Sequence, residues 1–268
     1  MDTFSVIRNF YAPQQPDSDS NDAVGYEEHP PAKDLQHAVF CYWELYSEKP
    51  LAEDYLYRVV ADGCTDVYFN RMNPAESYTM GFCRRFVQFN LGRKFRYFGI
   101  RFLPSFFSQM FRINARQLHN SEVELRHILP DFATFISGIP PELHSDKVIN
   151  SLDDFLTKKL QNIDFVEDQR FYNALAMILK SGGNIKIGDI DTGLSERQLR
   201  RYFEYYIGAS PKIFSQVVRL QTMLRQQLSS SGLQRRKIFF DESYHDQAHF
   251  IKEFKTFYGI TPGEAFSK

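Results

Sequence analysis

Hydrophobic and polar positions along this chain follow two rhythms. From about residue 36 to residue 102 the period is two. Ala38, Phe40 and Tyr42 alternate with Val39, Cys41 and Trp43. Thr65, Val67 and Phe69 alternate with Asp66 and Tyr68, and Arg96, Phe98, Ile100 and Phe102 alternate with Phe95 and Tyr97. Successive side chains of a strand point to opposite faces, so this alternation predicts short aromatic and β-branched strands. Asp62-Gly63, Asn73-Pro74 and Leu91-Gly92 punctuate them. The expected product is a twisted antiparallel sheet, closed or nearly closed into a barrel. Pro104 suits the first position of a helix. Phe106, Phe107, Met110 and Phe111 then recur at helical spacing, which predicts a helix packed on the sheet. Ahead of the strands, residues 12–35 are rich in Pro, Asp, Ser, Asn and Glu and read as an exposed, poorly ordered loop.

From about residue 145 the period is helical. Phe155 and Leu160 belong to one helix; Phe171, Ala174, Leu175 and Ile178 belong to the next, which Ser181-Gly182-Gly183-Asn184 ends. No strand pattern follows. The expected fold class is α+β: an N-terminal antiparallel β barrel or sheet with a helical appendage over residues 1–163, then an all-α domain over residues 164–268.

Two segments of the helical half match at an offset of 51 residues. The first holds Ser195, Leu199, Phe203, Gly208, Ser210 and Pro211; the second holds Asp246, Phe250, Phe254, Gly259, Thr261 and Pro262. Ser195 and Asp246 suit the N-cap, where a side-chain oxygen accepts from an unpaired backbone N–H, and Ser195 with Gln198 fits a capping box. Leu199, Phe203 and Tyr206 form one apolar stripe; Phe250, Phe254 and Phe257 form its counterpart. Gly208 and Gly259 suit the left-handed residue that ends a helix. Ser210-Pro211 and Thr261-Pro262 each start another helix at once. Short helical stretches, Ile187 to Asp191 and Gln234 to Glu242, precede the two copies. A short helix, a turn and a second helix with a polar outer face make a helix-turn-helix unit.

The outer face of the first copy presents Arg197, Gln198, Arg200 and Arg201; that of the second presents Gln247, His249 and Lys252, with Lys255 beyond. Arg and Gln are the side chains that read guanine and adenine edges bidentately, and Lys and Arg neutralise phosphates. The competing reading of any charged helix face is a solvated surface. Two copies with the same caps and stops favour double-stranded DNA as the partner.

Gly208-Ala209-Ser210-Pro211, the run Tyr244-His245-Asp246-Gln247-Ala248-His249-Phe250, Phe254-Lys255 and Gly259-Ile260-Thr261-Pro262 resemble the AraC/XylS-type transcription regulators, over roughly residues 165–268. The resemblance implies two helix-turn-helix units on successive major-groove faces, joined by a long helix from Pro211 to about Leu228 with Phe214, Val217, Val218 and Leu224 inward. Three features depart from the family pattern: Phe239 and Ser243, where a small residue and a glycine are usual, and a short first helix around Gly188 to Thr192. They define an alternative, a ligand-binding or interaction protein with a degenerate DNA-binding domain. Tyr42-Trp43-Glu44-Leu45, Asp62-Gly63-Cys64-Thr65-Asp66, Gly81 and Gly99-Ile100-Arg101-Phe102-Leu103-Pro104 resemble an aromatic-rich, cupin-like β domain found ahead of such DNA-binding domains. That resemblance implies a small-molecule effector, a homodimer, or both, and RNA polymerase as a partner of an activator.

Composition sharpens this reading. Aromatic residues make up 16% of the 268, and they are dense from Phe82 to Phe111. The run reads as a sheet core with its covering helix, and as the place where an effector pocket would be lined. Residues 1–163 hold 17 basic and 21 acidic side chains, residues 164–268 hold 15 and 12, so only the second half is net basic. None of the seven His falls between residues 38 and 102, which argues against a metal cupin, and no cofactor is expected. No Gly-x-Ser-x-Gly elbow or glycine-rich phosphate loop is present, and an enzyme is not expected. Cys41, Cys64 and Cys83 are too scattered for a disulfide framework or zinc site; Cys64 reads as a buried strand cysteine rather than a reactive thiol. No apolar run approaches the roughly 18 to 20 residues of a membrane span. Met1 to Asn9 lacks the pattern of a signal peptide, so a cytoplasmic protein is expected.

Overall fold

The alternating segment folds as strands whose two faces meet different neighbours. The computed structural model describes residues 3–15, 23–118, 120–161, 163, 168–229 and 247–266, with the side chains of residues 3–6, 227–229, 247 and 249 outside that description. Strands β1 (Val24–His29), β2 (Val39–Ser47), β4 (Thr65–Asn70), β5 (Asn73–Met80), β7 (Arg96–Phe102) and β8 (Glu122–Glu124) form one antiparallel sheet in the order β1-β2-β7-β4-β5-β8. Strands β3 (Leu56–Val59) and β6 (Val87–Asn90) pair separately as a two-stranded ribbon. Tyr42, Val67, Phe69, Phe98, Ile100 and Phe102 point from the large sheet into the main core. Trp43, Leu45, Tyr68 and Tyr97 point the other way, into a second cluster with Tyr57 and Val59 of the ribbon. Gly99 lies opposite both Trp43 and Tyr68. A Cβ there would come 2.0 Å from the indole, so the missing side chain is what lets Trp43 lie against β7.

Three local expectations are corrected. Residues 24–29 are not loop but edge strand β1, paired to β2 from Val24↔Ser47 to His29↔Tyr42; one side of an edge strand meets water, so its polar residues hide the pattern. The turn expected at Asn73-Pro74 falls on Arg71-Met72, and Pro74 sits second in β5. The helix expected to open on Pro104 begins at Phe106, because Ser105 takes the left-handed conformation at φ 77°.

The helices are α1 (Thr3–Phe10), α2 (Phe106–Phe111), α3 (Pro130–Ser137), α4 (Ser145–Leu160), α5 (Gln169–Lys180), α6 (Glu196–Tyr206), α7 (Pro211–Ser229), α8 (Gln247–Tyr258) and α9 (Pro262–Ala265). From α4 onward the described residues contain no strand, in keeping with the expected all-α half. The expected junction near residue 163 adjoins the undescribed residues 162 and 164–167, and the core runs straight past it. One apolar cluster extends from Ile7 of α1 through the sheet to Tyr258 of α8. Phe214 of α7 joins its parts, with its ring 6.4 Å from Tyr11, 6.5 Å from Phe82 and 5.8 Å from Phe203.

Candidate nucleic-acid interface

Helix α6 is held by its own ends. The Ser195 hydroxyl accepts from the Gln198 backbone N–H, and the Gln198 amide oxygen accepts in return from the Ser195 backbone N–H at 3.0 Å. The box ties down N–H groups that the helix leaves unpaired. Leu199 and Phe203 are buried, and Phe171 of α5 meets the rings of Phe203, Tyr202 and Tyr206 at 5.5, 5.9 and 5.2 Å. Gly208 ends the helix at φ 91°. Ser210 then accepts from the Ile213 N–H as α7 begins.

The second copy repeats these stops. Phe250, Phe254 and Phe257 of α8 are buried, Gly259 has φ 100°, and Thr261 caps α9 in a box with Glu264. Asp246, Phe239, Ser243 and the stretch Gln234 to Glu242 lie outside the described residues. Ile187–Asp189 forms a single 3₁₀ turn ahead of α6.

Helix α7 carries both copies. Phe214, Val217, Val218 and Leu224 are buried, as their spacing predicts. Gln216 donates to Glu253 of α8 at 2.7 Å, and Arg219 lies 3.9 Å from the same carboxylate. On its other side α7 presses on the turn after α5. Gly183, at φ 79°, accepts from the Ser215 hydroxyl, and a Cβ there would come 2.2 Å from the Ser215 carbonyl oxygen.

Arg197, Gln198, Arg200 and Arg201 are all exposed on α6, and Lys252 and Lys255 are exposed on α8. Gln247 and His249 lie in the first turn of α8, their side chains outside the described residues. The exposed groups are not all idle. The Gln198 amide oxygen is engaged in the cap. Arg200 donates to Glu204 at 2.8 Å, and Arg201 lies over the Tyr202 ring. Arg116 of the β domain approaches Glu204 from the other side at 3.7 Å. The Arg200 bond holds the Glu204 carboxyl below the usual range. Nothing in the sequence pattern places Arg116 there, because its partner is far along the chain.

A second feature lies in the β domain. A cavity of about 220 Å³ separates the large sheet from the β3–β6 ribbon, with Trp43, Tyr68 and Tyr97 on one wall and Tyr57, Val59 and Phe89 on the other. The dense aromatic run from Phe82 to Phe111 only partly lines it. Phe82, Phe98, Phe102, Phe106 and Phe107 fill the main core instead, because alternate strand positions face opposite sides. Cys64 is buried, and burial raises its thiol pKa well above the usual value. Among the described residues no group of three His, Cys, Asp or Glu is arranged to hold a metal, and no helix is long and apolar enough to cross a membrane.

Residues 191–268 match a family described as a helix-turn-helix domain, and residues 27–124 match a domain of unknown function (DUF6597). Over 105 residues the chain is 32% identical to an uncharacterized HTH-type transcriptional regulator of Haemophilus influenzae, a match spanning 37% of this chain and 34% of that protein. Two solved structures are also similar. One is ToxT from Vibrio cholerae O395, with TM-score 0.40 and 10% identity over 91% of this chain and 97% of that one. The other is unsaturated fatty acid bound wild-type ToxT from Vibrio cholerae strain SCE256, with TM-score 0.39 and 13% identity over 90% and 93%.

Proposed function

We propose that this chain, whose C-terminal segment is a helix-turn-helix domain of the AraC/XylS type, is a sequence-specific DNA-binding transcription regulator. Its α6 and α8 read successive major-groove faces of one site. The observation that carries this reading is the pairing of two helices with the same buried stripe and the same glycine stop, both joined to α7, with basic side chains outward. Arg197, Arg200 and Arg201 act at base edges and phosphates, and Gln247 and His249 lead the second helix into the groove. Lys252 and Lys255 neutralise phosphates. Gln198 contributes through its free amide hydrogens while its oxygen holds the cap.

The β domain, taken as residues 1–163, senses an effector or pairs with a second protomer. The ribbon supports the sensing role. It roofs the cavity, and the residues at its end, Ala61 and Phe86, donate backbone hydrogen bonds to the carbonyls of Phe257 and Thr256 in α8, each at 3.1 Å. A ligand that lifts the ribbon therefore pulls on the second recognition helix. Selection of bound DNA from a random pool tests the core of the reading: one recurring site with two half-elements is expected. A pool that shows no enriched sequence over several rounds sinks it.

A further inference from the structure

The cavity under the ribbon is walled by aromatic rings, two carboxylates and one guanidinium besides its aliphatic lining. Trp43, Tyr78 and Tyr97 gather around Tyr68, with ring centroids 6.0, 5.7 and 6.3 Å from it, and all four line the space. Ring faces are regions of negative potential that attract cations. Asp66 and Glu122 line the same space. Asp66 accepts from the indole N–H of Trp43 at 3.0 Å, and Glu122 accepts from the Tyr68 hydroxyl.

The wall also holds a cation, Arg101, but its charge is already met. Its side chain is only 3% exposed and lies 3.1 Å from Asp66, 3.4 Å from Asp62 and 3.5 Å from Glu28. Three carboxylates surround one guanidinium, and Glu122 makes no ion pair among the described residues. An anionic ligand entering here meets carboxylates and ring faces without a spare donor cation. A neutral ligand gains apolar burial against Leu45, Val59, Met80, Phe89 and Leu91 but takes those carboxylates further from water without a counter-charge. A cation relieves both.

We infer that this cavity binds a small organic cation, an amine or quaternary ammonium group, seated among Trp43, Tyr68, Tyr78 and Tyr97 and countered by Asp66 and Glu122. The inference rests on the reading of the β domain as effector-sensing and names the chemistry of its ligand.

Trp43 is the chain's single tryptophan, so its fluorescence reports on the cavity directly. The test titrates the full chain, without DNA, with choline, with 3,3-dimethylbutan-1-ol as its uncharged isostere, and with 3,3-dimethylbutanoate as the anion; calorimetry runs in parallel. Choline is expected to bind saturably, at least about tenfold more tightly than the alcohol, with the anion weakest. Glu122→Gln keeps an acceptor for Tyr68 and should weaken choline several-fold while leaving the alcohol unchanged. Tyr97→Ala should weaken choline as well; thermal melts identify either variant that has lost its fold. The inference is overturned if the alcohol or the anion binds as tightly as choline. It is equally overturned if neither folded variant affects choline, or if choline, tetramethylammonium and phenethylamine all fail to bind. Mobility of selected DNA in the same titration separates the two readings. Choline that binds without changing DNA affinity retains the ligand class and removes the sensing role. A chain that selects a DNA site while its cavity ignores cations does the reverse.

Discussion

The backbone N–H of Ala61 donates to the carbonyl of Phe257 across 3.1 Å, joining the end of the ribbon to the last turn of α8. The carbonyl of Ala61 is also used: the Gln221 amide of α7 donates to it at 2.8 Å, while its oxygen accepts from the Gln14 N–H at 2.6 Å. One buried glutamine thus joins the linker helix, the ribbon and the N-terminal segment. Replacing Gln221 with Ala strands a buried acceptor, the Ala61 carbonyl, and a half-buried donor, the Gln14 N–H, and is expected to lower the unfolding free energy by about 2 kcal/mol. Urea denaturation followed by circular dichroism checks this. A loss below about 0.5 kcal/mol, within the range of ordinary surface changes, means that these bonds are not made in solution.

Gly183 and Gly188 form a matched pair for testing how closely α7 sits on the turn after α5. At Gly183 a methyl group would collide with the Ser215 carbonyl and the Arg219 N–H, and the positive φ adds strain; at Gly188 nothing lies within 4 Å. Gly183→Ala is expected to destabilise by about 3 kcal/mol or to abolish soluble expression, and Gly188→Ala to stay within about 0.5 kcal/mol of the parent. Equal melting temperatures for the two variants would falsify the close approach.

Local patterns were legible and long-range ones were not. The alternation of Val67 and Phe69 with Asp66 and Tyr68 announced a strand, and the Ser195–Gln198 box with Gly208 announced both ends of α6, because each signal lies within a few residues. The ties Ala61–Phe257, Gln14–Gln221 and Arg116–Glu204 join residues far apart in the chain and leave no periodic trace. The aromatic run from Phe82 to Phe111 lines only part of the cavity for a related reason: aromatic density marks where rings are, whereas the alternation decides which face they take. That put Tyr97 in the cavity wall and Phe98 in the core. The exposed arginines of α6 were legible because helical spacing opposite a buried stripe fixes exposure. The box that occupies the Gln198 oxygen was equally readable, and it competes with any bidentate role for that side chain.

Asp168 caps α5, accepting from the Arg170 backbone N–H at 3.1 Å, its guanidinium at 2.9 Å and the Tyr202 hydroxyl at 2.9 Å. The Arg170 side-chain bond, chiefly, draws its carboxyl down to about 2, with the Tyr202 bond assisting. A carboxyl held below its unfolded value of about 3.9 stabilises the fold above that pH. The contribution fades as pH falls through about 4 toward 2. Asp168→Asn should therefore be less stable than the parent at pH 6, and the gap should narrow by pH 3. Denaturant titrations at both pH values check this; a gap independent of pH means that the charge of Asp168 does not act through the fold.

Arg200 and Lys255 separate base reading from phosphate contact. Arg200 is exposed and bonded only to its helix neighbour Glu204 among the contacts described. A pair whose arginine is open to water, its carboxylate half-buried, is worth on the order of 0.5 kcal/mol, little enough to be given up when a groove offers better acceptors. Arg200→Ala is therefore expected to reduce discrimination between the selected site and a variant site by about 1–3 kcal/mol, through relaxed preference at one position. Lys255 lies near the far end of α8, where a helix entering the groove by its first turn passes the backbone. Lys255→Ala should weaken all sequences alike and reduce the slope of log affinity against log salt by about one. Binding measured at three or more salt concentrations, on selected and scrambled DNA, distinguishes the two patterns. The assigned faces are wrong if both variants shift both DNAs equally, or if neither shifts either.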